Sequence, residues 1–141
     1  MKPTSEIATT PEQSRVLMDL GLPITRFDMA WVNTKGIPSP LPLTYCVMEG
    51  INYEVKDLCC SLSELLNAMP NGEFDDVSLF QGTDHPWVCN FSNVDAMTAF
   101  SKEGCNTTYG KDPVTAAYEM VKWLLQRGLI EKKDWIDNES N

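Results

Sequence analysis

The stretch DPVTAAYEMVKWLLQRG, residues 112–128, decides the fold. Asp112 is a good helix cap, Pro113 takes the first helical position, and Gly128 stands where a helix ends. At 100° per residue, Val114, Ala117, Tyr118, Val121, Leu124 and Leu125 form one apolar arc. Ala116, Met120 and Trp123 widen that arc until only Thr115, Glu119, Lys122 and Gln126 remain as a polar stripe. Such a helix must be covered on more than one side. It is expected either between a sheet and another helix or in a dimer contact.

Working outward, the helix has strands to pack on. Val77 to Phe80 and Trp87 to Phe91 read as a pair joined through Gly82-Thr83-Asp84, with Trp87, Cys89 and Phe91 on one face. Val94 to Phe100 allows a short helix, and the polar run Ser101 to Gly110 reads as a loop. Upstream, Ser61-Leu62-Ser63-Glu64 is a capping box for a short helix with Leu65, Leu66 and Met69, stopped by Pro70-Asn71-Gly72. Leu43, Tyr45, Val47 and then Ile51, Tyr53, Val55 alternate as a hairpin around Glu49-Gly50. The segment 36–42 contains Pro38, Pro40 and Pro42, which donate no hydrogen bond, so it is expected as a loop. From Arg26 to Val32 the period is two, with Phe27, Met29 and Trp31 on a buried side and Asp28 and Ala30 on the other. A further capping box, Thr10-Pro11-Glu12-Gln13, opens a helix that runs to about Leu20, carries Val16, Leu17 and Leu20 on one face, and stops at Gly21.

The expected architecture is α+β: a mostly antiparallel sheet of four or five strands, the Pro11 and Pro113 helices packed on it, and the short Ser61 helix in a connection. Residues 10–130 form one domain, between a flexible tail over 1–9 and a charged tail over 131–141 that holds Trp135. A length of 141 residues with 43% hydrophobic and 22% charged residues fits a single core.

Charge narrows the choice of partners. Twenty acidic against eleven basic side chains give a net charge of -9, which repels polyphosphate and argues against nucleic acid. Neither a secretory signal nor an apolar run of membrane-spanning length is present, so a soluble, cytoplasmic setting without membrane contact is expected. The odd, scattered set Cys46, Cys59, Cys60, Cys89 and Cys105 fits reduced thiols. The triplets at Asn90, Asn106 and Asn138 match the glycosylation pattern but lack that route.

Catalytic chemistry is thinly represented. His85 is the single histidine, so any Ser/His/Asp or Cys/His pair must use it, and it lies in the turn-like Asp84-His85-Pro86. His85 with Cys89 lacks the second ligand pair of a zinc site. Cys59-Cys60 precedes a helix start, where amides lower a thiol's pKa, yet free cysteine commonly packs as a small hydrophobe. Glu73 with Asp75-Asp76, and Asp134 with Asp137 and Glu139, are the close carboxylate groups, without the burial that acid/base work needs and without the alternation of a calcium loop. The eight glycines are dispersed, so no phosphate loop exists. No catalytic, cofactor or metal residue is assigned.

Thr9-Thr10-Pro11-Glu12-Gln13-Ser14 into Leu20-Gly21-Leu22, Asp28-Met29-Ala30-Trp31, Ser61-Leu62-Ser63-Glu64-Leu65-Leu66 to Met69-Pro70, and Asp112-Pro113-Val114 through Trp123-Leu124-Leu125 to Gly128 occur in an order similar to a family of small proteins from Bacteroides-type gut bacteria and their prophages. The resemblance spans most of residues 9–130 and rests on caps and core positions; Cys59-Cys60 stands where that family often has tryptophan before the Ser-Leu-Ser segment. It implies a bacterial or prophage origin and a cytoplasmic setting, and carries over no activity or catalytic residue. The leading expectation is a non-enzymatic accessory protein acting through protein contacts, including a homodimer. A small enzyme or ligand-binding domain with a pocket joining His85, Cys89 and Asp75-Asp76 is the alternative, and an acidic mimic of DNA is a weaker one.

Overall fold

A computed structural model describes residues 7–32, 40–42, 55–70, 75–83, 86–93 and 105–130. Three helices occur among them: α1 (Pro11–Asp19), α2 (Leu62–Ala68) and α3 (Pro113–Gln126). The six strands are β1 (Met29–Val32), β2 (Leu41–Pro42), β3 (Val55–Cys59), β4 (Asp75–Phe80), β5 (Trp87–Asn93) and β6 (Cys105–Gly110). They make two antiparallel three-stranded sheets, β2-β1-β3 and β4-β5-β6, so the fold is α+β but the single sheet of four or five strands is corrected to two small ones.

The helix starts follow their caps. Thr10 and Gln13 satisfy each other's backbone N–H groups in a complete capping box. Asp112 accepts from Thr115 N–H at 2.7 Å. Ser61 Oγ accepts from Glu64 N–H, but the return bond from Glu64 is replaced: Asp28 accepts from Ser61 N–H at 2.8 Å and from Ser61 Oγ at 2.6 Å, while Glu64 pairs with Arg26. Gly21 and Gly128 adopt the positive φ of helix C-termini.

α3 is the centre of the molecule, touching β4, β5 and β6 as well as α1 and α2. Its Val114, Ala116, Ala117, Tyr118, Met120, Val121 and Leu124 are buried within the chain. Of the two ways to cover its wide apolar arc, the structure therefore shows the sandwich between sheet and helices. α1 turns Pro11, Ser14 and Leu17 inward; of the expected apolar face, Leu17 is buried, Leu20 is half-buried and Val16 is exposed.

Four local readings are corrected. Residues 105–110 are a strand, although their polar sequence lacks an apolar alternation, because Asn106, Thr108 and Gly110 form β6's inward row directly beneath α3. Thr108 Oγ1 donates to Ala116 O at 2.8 Å, and a Cβ on Gly110 would stand 2.5 Å from Ala116 N. Only small or hydrogen-bonding side chains fit so close to a helix backbone. Leu41–Pro42 is an edge strand on β1, where a proline without N–H is tolerated. β1 is buried on both faces: Met29 and Trp31 cluster with Cys59 and Ala8, and Ala30 pairs with Leu58, which packs on the main core. Finally, Ile7 to Thr9 belong to the fold rather than to a tail, since Ala8 bridges Ser61, Leu62 N–H donates to Ile7 O, and Ala8 and Thr9 are buried. The hairpin over residues 43–54, the segment Val94 to Phe100 and the charged C-terminal tail lie outside the described residues.

Candidate functional site

The thiols are placed by packing. Cys59, Cys60 and Cys89 are fully buried and Cys105 is exposed, all four as free cysteines. Cys60 Sγ donates to Arg26 O at 3.4 Å, and burial, reinforced by the Asp28 carboxylate, pushes its thiol far above the ordinary range. Burial likewise raises Cys89, from 9.0 to about 11, against a lowering hydrogen bond with Thr108. A thiol held protonated in the core is no nucleophile. Cys59-Cys60 is thus part of the wall between α1 and β1 rather than a reactive pair.

The second half of that wall is a polar knot absent from the sequence reading. Thr9 N–H donates to Cys60 O at 2.9 Å, Cys60 N–H donates to Thr9 Oγ1 at 3.0 Å, Trp31 Nε1 donates to Thr9 O at 2.9 Å, and the Thr9 and Ser14 hydroxyls are 2.7 Å apart. Every one of these bonds ties one element to another, so the knot is structural.

Of the groups in the pocket hypothesis, the described ones, Asp75, Asp76 and Cys89, stand apart. His85 and Glu73 lie outside the described residues. Asp75 and Asp76 are successive residues of β4 and so point to opposite sheet faces. Asp75 pairs with Asn93, whereas Cys89 pairs with Leu79, which separates the carboxylate from the thiol by about 13 Å along the strand at ~3.3 Å per residue. A cleft is present, but it lies between α2 and β4, lined by Leu66, Met69, Pro70, Asp75, Val77 and Leu79 and not by Cys89. Among the described residues, no cluster of His, Cys, Asp or Glu is arranged to hold a metal. Trp135, Asp134, Asp137 and Glu139 also fall outside the described residues.

Acidic side chains sit on separate elements. Asp28 and Asp112 cap helices, Glu64 pairs with Arg26, and Glu119 pairs with Lys122. These four carboxylates among the described residues serve caps and local pairs.

What remains is a surface. Strand register puts Phe80, Val88 and Tyr109 side by side across β4, β5 and β6. They lie on the face opposite Val77, Leu79, Cys89 and Phe91, the residues that meet the core beneath α3. Phe80 is 43% and Tyr109 49% exposed, and Val88 between them is only 7% exposed. The next row is Ser78, Asn90 and Thr107, where Thr107 Oγ1 donates to Asn90 Oδ1 at 2.7 Å. The arrangement is an aromatic-flanked apolar bar beside a hydroxyl- and amide-bearing row, on a three-stranded support. Val88 alternates with Cys89 in a strand whose two faces are both apolar at that point, a signal legible in sequence only once the third strand is known.

Comparison with protein-family models, curated proteins and solved structures gives no match. No helix among the described residues is long and apolar enough to cross a membrane.

Proposed function

We propose that this chain is a non-enzymatic accessory protein, bacterial or prophage-borne as its resemblance implies, that acts by binding a protein partner through the outer face of the β4-β5-β6 sheet. The observation that supports this reading is the Phe80-Val88-Tyr109 bar. Aromatic side chains present large area at low conformational cost, and exposed aromatics around an already desolvated aliphatic side chain are what interface centres are built from. The carboxylate Asp76 is on the same face, and the net charge is -9, so two copies repel at long range and a neutral or basic partner is favoured over self-association. The wide arc of α3, which alone would favour a homodimer, is already buried inside the chain.

Affinity capture from the native host with wild type and with the Phe80→Asp/Tyr109→Asp pair tests the proposal. Both residues are exposed, so the double variant keeps its circular dichroism spectrum. A partner retained by wild type and lost by the variant is expected. Identical captures by both proteins contradict the reading.

A further inference from the structure

The face that carries the Phe80-Val88-Tyr109 bar limits what can lie on it. Val88 belongs to β5, whose two edges are taken by β4 and β6 from Val88 to Ser92, so the middle of this face offers a ligand no main-chain N–H or C=O group. A ligand strand laid there would cover its own amides without giving them partners. Phe80 and Tyr109 stand two strand spacings of ~4.8 Å apart, one on each side of β5; both are exposed, while Val88 between them is buried. Aromatic side chains stand taller on a sheet than valine, so the bar is a shallow trough with aromatic sides and an aliphatic floor. An α-helix, ~10–12 Å across, is too wide to reach that floor. In the next row Thr107 Oγ1 donates to Asn90 Oδ1, which leaves the amide N–H groups of Asn90, without an acceptor among the described residues, beside the trough.

We propose that the partner segment held by this face is a proline-rich stretch in the polyproline II conformation, flanked by lysine or arginine; the inference rests on the outer-face reading above and names its ligand. Polyproline II has no internal hydrogen bonds and proline has no N–H, so such a chain loses little on a face without main-chain partners. Its pyrrolidine rings fill an aromatic-sided trough, and its carbonyls accept from the Asn90 amide. Its stiffness lowers the ordering cost of binding. The basic flanks follow from the charge of the whole chain, twenty acidic against eleven basic side chains, with Asp76 exposed on the same face.

Fluorescence anisotropy of a labelled Arg-Pro-Pro-Ala-Pro-Pro-Arg peptide with the full chain tests this directly. Saturable binding below about 1 mM is expected. Replacing the four prolines with alanine is expected to weaken it about tenfold, and replacing both arginines with glutamate about tenfold at low salt and less at high salt. On the protein side, Phe80→Asp/Tyr109→Asp is expected to abolish binding, while the ring-preserving pair Phe80→Tyr/Tyr109→Phe keeps it within about twofold. Absence of binding at about 1 mM peptide, equal binding of the proline and alanine peptides, or equal binding by the aspartate variant overturns the proposal. Capture of a partner through Phe80 and Tyr109 without peptide binding defeats this ligand and leaves the outer-face reading standing; identical captures by wild type and the aspartate variant defeat the reading itself.

Discussion

Thr9 shows how much one residue carries. Its amide, carbonyl and hydroxyl join β3's end, β1's tryptophan and α1's Ser14, all away from water. Thr9→Val keeps the shape but leaves the Cys60 N–H without its acceptor, and a stranded buried donor costs about 1–3 kcal/mol. Urea unfolding should show a lower midpoint at unchanged m, and a shift below about 0.5 kcal/mol would contradict that role. The buried thiols have a pH signature. Cys89 titrates at 9.0 when unfolded and about 11 when folded, so between those values the unfolded chain has lost a proton that the native chain still holds. Stability contributed by the protonated thiol is full below pH ~9 and declines as pH rises toward ~11, by up to roughly 1.4 kcal/mol per pH unit. Cys60 acts in the same direction. The fall in unfolding free energy from pH 8 to 10 should be smaller in Cys89→Ala than in wild type; equal slopes would refute the assignment. Thr9 was legible as a neighbour of a cap but not as a knot, because its three partners come from residues 14, 31 and 60. Spacing along a chain conveys nothing about such meetings.

At the scale of elements, caps were the most readable feature. Thr10, Ser61 and Asp112 stand where their helices begin, since a cap is satisfied within its own turn. Strands were less readable, since pairing is non-local. β6 was missed because its inward row is Asn106, Thr108 and Gly110, chosen for closeness to α3 rather than for hydrophobicity. Gly110→Ala tests this contact. Its Cβ would stand 2.5 Å from a backbone nitrogen and 2.8 Å from Thr115 Cβ, so α3 must lift off β6. Overpacking of this kind costs about 1–3 kcal/mol, seen as a lower thermal midpoint, and an unchanged midpoint would contradict the packing described here. Proline was over-read at Pro42: it forbids a central strand, and the end of a sheet accepts it.

Across the whole molecule, α3 supports everything else. It lies against one sheet, with α1 and α2 on its remaining sides, and its narrow polar stripe foretold that enclosure. The number of sheets was not legible, because β1 and β3 close on each other and on Ala8 instead of joining β5. The candidate surface was not legible either, since Phe80, Val88 and Tyr109 become neighbours only through the register of three strands. The proposed binding role rests on the exposed Phe80 and Tyr109 of one sheet face. Amide hydrogen exchange of the full chain, alone and with its captured partner, tests that claim most directly. The account predicts added protection along β4 and β6, around Phe80 and Tyr109; protection confined to α1 or to the β2-β1-β3 sheet would contradict it.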